Sequence, residues 1–399
     1  MMKGKTIVLG VTGSIAAYKI AGLASSLVKE GCEVHVVMTR NATNFINPIT
    51  FETLTGNKCL VDTFDRNFEF HVAHVSLAKK ADVILVAPAT ANMIGKMACG
   101  IADDMLSTVI LAAQCPVIVS PAMNTNMFRN SIVQENLQKL AAHGMTVIPP
   151  SVGRLACADV GEGKMPDEPV LMAYIRKAVA YDKDLKGLKV LVTAGPTQEP
   201  IDPVRFISNH STGTMGFAIA RAAMERGAEV TVVYGHTQVD PPLLVNTVEV
   251  QSAAEMLEAV KSHFPQTDIL VKSAAVADYT PAEYHDSKVK KKDGDLSLPL
   301  KRTADILREV SVMKQPGQQV CGFSMETEQL LENSKKKLIE KGLDLIVANN
   351  LKVEGAGFGV DTNVVTLISK NEVQELPLLS KEAVAHRILD TLLAQRKAL

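Results

Sequence analysis

With 399 residues, 47% of them hydrophobic, the chain is long enough for two or three domains that each bury a core, and too apolar to stay disordered. Lys+Arg 42 stand against Asp+Glu 43, a formal charge of -1, which excludes the global basic field that nucleic acid or an anionic membrane would call for and makes any anion site a local construction. No apolar run reaches the roughly 18 residues of a membrane span, and six cysteines with no CxxC pair or zinc-type His spacing indicate neither a disulfide framework nor a zinc site.

The opening MMKGKTIVLGVTG passes directly into a strand pattern without a signal-peptide cleavage region, so a cytoplasmic protein is expected. KTIVLGV predicts a strand, TGS a turn, IAAYKIAGLASSLVKEG an amphipathic helix and EVHVVMT a second strand. Gly10, Gly13 and Ser14 fall where the first strand turns into its helix, so their backbone N–H groups and the positive helix end are expected to face an anion such as a phosphate. The spacing is not GxGxxG, and a tight turn without a ligand is an equally good reading of these residues alone. Thr39 ends the second strand; APATAN (residues 87 to 92) and SPAMN (residues 120 to 124) end the buried runs ADVILVAPA and CPVIVSPA. All three lie at the carboxyl edge of the sheet, where open α/β folds bind ligands.

EPVLMAYIRKAVA predicts a helix and AYDKDLKGLK, residues 180 to 189, a polar linker, which places a domain boundary near Leu185. The alternation then restarts with KVLVTAG, a proline-rich insert, TMGFAIARAAMERG, AEVTVVYG, TDILVKSA and GLDLIVANN; NVVTLISKN with EVQELPL predicts a hairpin, and KEAVAHRILDTLLAQ a closing helix. The fold class expected is α/β, two doubly wound Rossmann-like domains with parallel sheets. Two nicotinamide-binding halves are excluded, because neither first strand is followed by GxGxxG and the second strand lacks the acidic residue. Five cysteines sit in apolar or helical surroundings and read as core filler. Cys157, among the glycines and charges of GRLACADVGEGKMPD, does not.

GVTGSIAAYK, APATANMIGK, GIADDMLST and PAMNTNMF resemble the homo-oligomeric flavin-containing cysteine decarboxylases. The resemblance implies a flavodoxin-like flavoprotein domain over residues 1–184, with FMN held by Gly13, Ser14, Ile15, Thr39, Pro88, Ala89, Thr90, Asn92 and Ser107. His74, in HVSLAKKADVILVAPAT, matches the family histidine and is implied as a base or charged partner near the substrate thiol. Asn124, in a PxMNxxMW-type motif whose last position is Phe128 here, is implied as the hydrogen-bond partner of the departing carboxylate. ACADVGEGKM resembles the mobile segment that covers the site in phosphopantothenoylcysteine decarboxylases, and Cys157 matches its cysteine. Losing CO2 from an ordinary cysteine carboxylate leaves an unstabilised carbanion, so a flavin first oxidises the thiol to a thioaldehyde that accepts the electrons. The resulting enethiolate needs a hydride and a proton, and Cys157 is the candidate acid. Some flavoproteins similar to this half are instead regulatory binding subunits of phosphatases; the Cys157 segment and the second half argue against that role.

LVTAGPTQEPIDPVRFISNHSTGTMGFAIA, SAAVADY, KVKK, CGFSMET and DLIVANN resemble the phosphopantothenate-cysteine ligases, and imply a nucleotide-binding ligase domain over residues 185–399. The resemblance assigns Lys288 to nucleotide binding and phosphoanhydride formation, although such a charge run by itself reads as a solvated face. Asn209 is implied at the acyl-cytidylate, with Ala274, Ala275, Asp278, Phe323, Lys337 and Lys341 around the CTP; Thr214 stands where the family often has lysine. Mg2+ accompanies the triphosphate, and its ligands stay open, with Asp278 the candidate. Together the two resemblances imply a bifunctional coenzyme A biosynthesis enzyme: CTP-dependent joining of 4'-phosphopantothenate to cysteine, then FMN-dependent decarboxylation to 4'-phosphopantetheine. They also imply small-molecule substrates with neither nucleic acid nor membrane as partner, and homo-oligomers with trimeric flavin domains and dimeric ligase domains, a dodecamer among the options.

Overall fold

A computed structural model describes residues 2–64, 73–154, 160–290, 297–325, 330–349 and 360–397. The chain divides into two compact units, Met1–Asp182 and Lys183–Leu399.

In the first unit, β1 (Thr6–Val11), β2 (Glu33–Met38), β3 (Val83–Ala89), β4 (Val117–Pro121) and β5 (Thr146–Val147) form one sheet in the order β2-β1-β3-β4-β5. Every pairing is parallel, and the order is the flavodoxin-like one, with its ligand-binding switch point between β1 and β3. The apolar runs are unbroken because both faces are covered. Ile7, Leu9 and Val11 point into one core cluster with Leu23, Leu27 and Leu171, while Val8 points into the other with Ile84, Leu106 and Leu140. The covering helices are α1 (Lys19–Lys29), α2 (Pro48–Thr55), α3 (Ala73–Lys80), α4 (Ala91–Cys99), α5 (Met105–Ala112), α6 (Thr125–Arg129), α7 (Ser131–Ala142) and α8 (Glu168–Val179). An antiparallel hairpin, β6 (Ser151–Arg154) with β7 (Val160–Lys164), stands outside the sheet.

The second unit adds β8 (Lys189–Ala194), β9 (Gln198–Pro200), β10 (Phe206–Ser208), β11 (Glu229–Tyr234), β12 (Asn246–Glu249), β13 (Ile269–Lys272), β14 (Tyr279–Pro281), β15 (Leu300–Arg302), β16 (Gln319–Met325), β17 (Leu345–Asn349), β18 (Thr362–Asn363), β19 (Val365–Ser369), β20 (Val373–Glu375) and β21 (Leu379–Ser380). Eight of them build one sheet in the order β12-β11-β8-β13-β16-β17-β19-β20. The six from β12 to β17 are parallel. At the far edge stands the hairpin expected from NVVTLISKN and EVQELPL, β19–β20, joined antiparallel to β17. A hairpin can enter a sheet without a crossover helix, and so ends it. The helices are α9 (Thr214–Glu225), α10 (Ala253–His263), α11 (Ile306–Met313), α12 (Leu330–Glu340) and α13 (Lys381–Lys397). Two core clusters again flank the sheet, Val190, Val192, Ala220 and Leu389 in one, Leu191, Met256, Val310 and Leu338 in the other.

Cys32, Cys59 and Cys321 are buried and Cys115 is half-buried, as core filler should be. Cys99 departs from that expectation: it ends α4 with its side chain exposed. Among the described residues no helix is long and apolar enough to cross a membrane.

Candidate active sites

At the carboxyl edge of the first sheet a hollow of about 1030 Å3 is lined by Gly13, Thr39, Thr90 and Asn92, together with Thr12, Asn41 and Lys96. These come from the turns after β1, β2 and β3, so the switch point gathers them. Thr12, which sequence reasoning passed over, ties the turns together: its buried hydroxyl donates to the Pro88 carbonyl at 2.6 Å and accepts from the Thr90 N–H at 3.1 Å. Thr90 caps α4, its oxygen accepting from Met93 N–H. Thr39 Oγ1 is buried without a hydrogen-bond partner among the described residues. A buried hydroxyl left unpaired is costly, and a polar group in the hollow would satisfy it. That makes the hollow a fitting place for a flavin with its phosphate.

Gly10, Ser14 and Ser107 each carry a structural duty in the fold. A side chain on Gly10 would meet Leu106 Cδ1 at 2.6 Å, so this glycine serves the packing of α5 on β1 instead of facing a ligand. The Ser14 N–H already donates to Thr12 O at 2.8 Å, and its side chain caps the short helix Ile15–Tyr18. Ser107 is buried in a capping box with Asp104 at the start of α5 and does not line the hollow. Asp104 and Asp103 hold Lys96 at 2.7 and 2.6 Å. Burial opposes the charge on Asp104, but the bonds from Lys96 and Ser107 outweigh it and hold the carboxyl below its ordinary pKa. Pro88 follows a cis peptide bond and, with buried Ala89, shapes the end of β3.

Ser14 and Ile15 line a second hollow of about 590 Å3 with Asn124, Lys19, Arg154 and Lys164. Asn124 caps α6, accepting from Asn126 N–H at 2.8 Å. The β6–β7 hairpin docks on the same turn: Met123 N–H donates to Gly163 O at 3.0 Å and Thr125 Oγ1 to Glu162 O at 2.8 Å. Gly163 has φ +119, and a side chain there would lie 2.3 Å from Met123 O, so only glycine allows this approach. Cys157, between the two hairpin strands in sequence, lies outside the described residues. His74 is half-buried in the first turn of α3 and lines neither hollow.

In the second unit, Asp278, Phe323, Lys337 and Lys341 line one cavity of about 200 Å3 with Lys272, Thr303 and Asp305. Asp305 caps α11 and pairs with Lys341 at 2.9 Å. Exposed Asp278 is a sufficient protein share for Mg2+, which takes one or two carboxylates and completes its shell from phosphates and water. Asn209 reaches the same strand end, its Nδ2 donating to Ala275 O at 3.0 Å, while Ala274 N–H donates to Thr193 Oγ1. Exposed Lys288 is outside the cavity lining, on a strap held by a clamp invisible in the sequence. Val289 N–H donates to Asp202 Oδ2 at 3.1 Å, and Arg205, paired with Asp202 at 2.6 Å, donates to Val289 O at 2.8 Å. Arg205 holds the Asp202 carboxyl well below the usual carboxylate range. Lys291, in the same run, lies outside the described residues.

Both units match known protein families. The Flavoprotein family model matches residues 1–180, and the model for the C-terminal domain of DNA/pantothenate metabolism flavoproteins matches residues 185–395. A coenzyme A biosynthesis bifunctional protein CoaBC of Bacillus subtilis is 46% identical over 401 residues, covering 100% of this chain and 98% of the relative. The chain belongs to the CoaBC family. The Escherichia coli CoaBC is 41% identical over 99% of this chain and 98% of its own. A solved C-terminal domain of a CoaBC protein, 43% identical, covers 55% of this chain and 100% of that one, with a TM-score of 0.48. The two family models follow one another along the chain, and their limits fall on either side of Asp182 and Lys183.

Proposed function

We propose that residues 1–184 of this CoaBC-family protein are an FMN-dependent phosphopantothenoylcysteine decarboxylase and residues 185–399 a CTP- and Mg2+-dependent phosphopantothenate-cysteine ligase. The observation that carries the reading is the gathering of Asp278, Phe323, Lys337 and Lys341, from separate segments of the chain, around one cavity beside Ala275 and Asn209. Lysines and a carboxylate fit a magnesium triphosphate, on whose oxygens charge builds when a substrate carboxylate attacks. Lys288, on the strap clamped to Asp202, is the cation for that first half-reaction. Asn209, whose carboxamide is oriented by Ala275 O, holds the acyl-cytidylate for attack by cysteine.

In the first unit the flavin, when bound, supplies the two-electron chemistry at the substrate's thiol-bearing carbon. The chain's own residues do the rest. Thr39 and the Gly13 turn hold the flavin, Asn124 orients the carboxylate that leaves, His74 is the base or charged partner of the thiol, and Cys157 returns a proton to carbon. The β6–β7 hairpin, docked on the turn that carries Asn124 through Gly163 and Glu162, braces that turn. The reading includes small-molecule substrates, homo-oligomers built from trimeric flavin and dimeric ligase domains, and a cytoplasmic setting.

The test uses the full chain with 4'-phosphopantothenate, cysteine, CTP and Mg2+. The expected result is a yellow protein that releases pyrophosphate and CO2 and forms 4'-phosphopantetheine. A colourless folded protein would defeat the first assignment, and condensation without pyrophosphate release the second.

A further inference from the structure

Lys272 ends β13, the strand between β8 and β16, at the carboxyl edge of the second sheet. In sequence it is the polar tail of TDILVKSA. In the structure its side chain lines the cavity that holds Asp278, Phe323, Lys337 and Lys341. Its Nζ donates to Ala274 O at 3.0 Å, which uses one of the three ammonium donors. The charged groups facing it are Lys337 and Lys341 around α12, Asp305 at the start of α11, and Asp278 beyond β13. Asp305 is already engaged by Lys341. Among the described residues the lining therefore carries three ammonium groups against two carboxylates, one of which is paired with Lys341, and Lys272 makes no ion pair there.

Surrounding protein makes this a costly place for a charge. Burial, and then the neighbouring Lys341, push the Lys272 ammonium down to a pKa of about 8, against the opposing pull of Asp305 and Asp278. A lysine whose only task was to brace Ala274 could be replaced by a neutral donor without that cost. A cavity-lining ammonium short of counter-charge is instead suited to an electronegative ligand.

We propose that Lys272 is a further nucleotide-binding residue of the ligase half, its ammonium donating to an acceptor oxygen of the bound CTP, on the triphosphate or on the pyrimidine carbonyl. This rests on the ligase reading above. A bound acceptor favours the protonated amine, so nucleotide binding takes up a proton from solvent at pH values above the free group's pKa.

The experiment is calorimetric titration of the full-length protein with CTP and Mg2+. Lys272→Met keeps most of the stem and removes the charge, and should weaken CTP roughly 10- to 100-fold, as expected for a lost charge-assisted bond. Lys272→Arg should stay close to wild type. Inorganic tripolyphosphate and cytidine, titrated separately, identify the oxygen: the probe that loses affinity in Lys272→Met carries it. The wild type supplies a test that needs no variant. Its CTP affinity should fall as pH rises through about 8 and approach a tenfold loss per pH unit, while Lys272→Arg stays flat. A merely structural lysine would not produce that difference. Unchanged CTP affinity in Lys272→Met, or a wild-type affinity flat from pH 7 to about 9, overturns the proposal alone. A yellow, folded wild type that binds no CTP overturns the ligase reading and this proposal with it.

Discussion

The hollow of the first unit and the cavity of the second both lie at the carboxyl edge of their sheet and differ in how their charges are balanced. The first spans about 1030 Å3 and offers glycine, threonine and asparagine, and its two cations, Arg40 and Lys96, are already held by Asp62 and by Asp103 and Asp104. The second is about 200 Å3 and offers Lys272, Lys337 and Lys341 against Asp278 and Asp305. Neutral N–H and hydroxyl donors suit a prosthetic group that arrives once and keeps its charge. Ammonium groups suit a co-substrate that comes and goes and whose charge is redistributed as bonds break. On the proposed function, the same α/β edge would serve as a holder in one unit and as an electrostatic machine in the other.

The sharpest test of that contrast is Lys288→Gln, which should cut pyrophosphate release about 100-fold without altering flavin content, since it removes a cation where charge develops. Wild-type release would erase the contrast. Next comes Asp202→Asn, which removes the carboxylate that holds the strap at Val289 N–H while leaving Lys288 itself unaltered; a loss of about tenfold in the same assay is expected, with Arg205 still able to hold the Val289 carbonyl. A loss as large as that of Lys288→Gln would mean that Asp202 acts on the nucleotide directly.

On the neutral side, Thr39→Val should weaken FMN by about 5- to 10-fold, the range of one ordinary hydrogen bond. The same change should leave the flavin-free protein as stable as before or more so, because it deletes a buried hydroxyl without a partner. Differential scanning calorimetry of both forms decides it, and destabilised flavin-free protein would show that the hydroxyl serves the fold. The smallest effect belongs to Thr90→Ala, which removes the cap of α4 and should cost about 1 kcal/mol of first-unit stability in denaturant titration. A cost near zero would mean that Thr12 alone holds that turn.

The strands were legible because parallel strands covered on both faces appear as unbroken apolar runs, as in TIVLGV and VILVAPA. The switch point followed from their order, and with it the positions of Thr39 and Thr90. Gly10 and Ser107 show what the sequence leaves undivided: a residue beside a ligand turn and a residue that packs or caps that turn carry the same local pattern. Gly10 gives way to Leu106, and Ser107 binds Asp104. Lys272 was invisible because a lysine after ILV reads as a strand end turned to water; only the arrival of α12 and Asp305, from distant segments, encloses it. The Asp202–Arg205 clamp was hidden in a proline-rich insert with no periodicity, and its meaning lies in a bond to Val289 far along the chain.

The uneven burial of the cysteines bears on how this protein can be labelled. Burial, with Glu30 second, pushes the Cys32 thiol up to about 11, and burial with Glu52 pushes Cys59 up to about 12; burial raises Cys321 and Cys115 as well. Alkylating reagents attack the thiolate, so at neutral pH these four stay dormant. Exposed Cys99 is then the handle that a maleimide dye finds among the described residues. A Cys99→Ser background would silence it and turn any remaining fast labelling into a direct readout of Cys157, allowing the accessibility of the proposed proton donor to be followed by fluorescence as substrate is added.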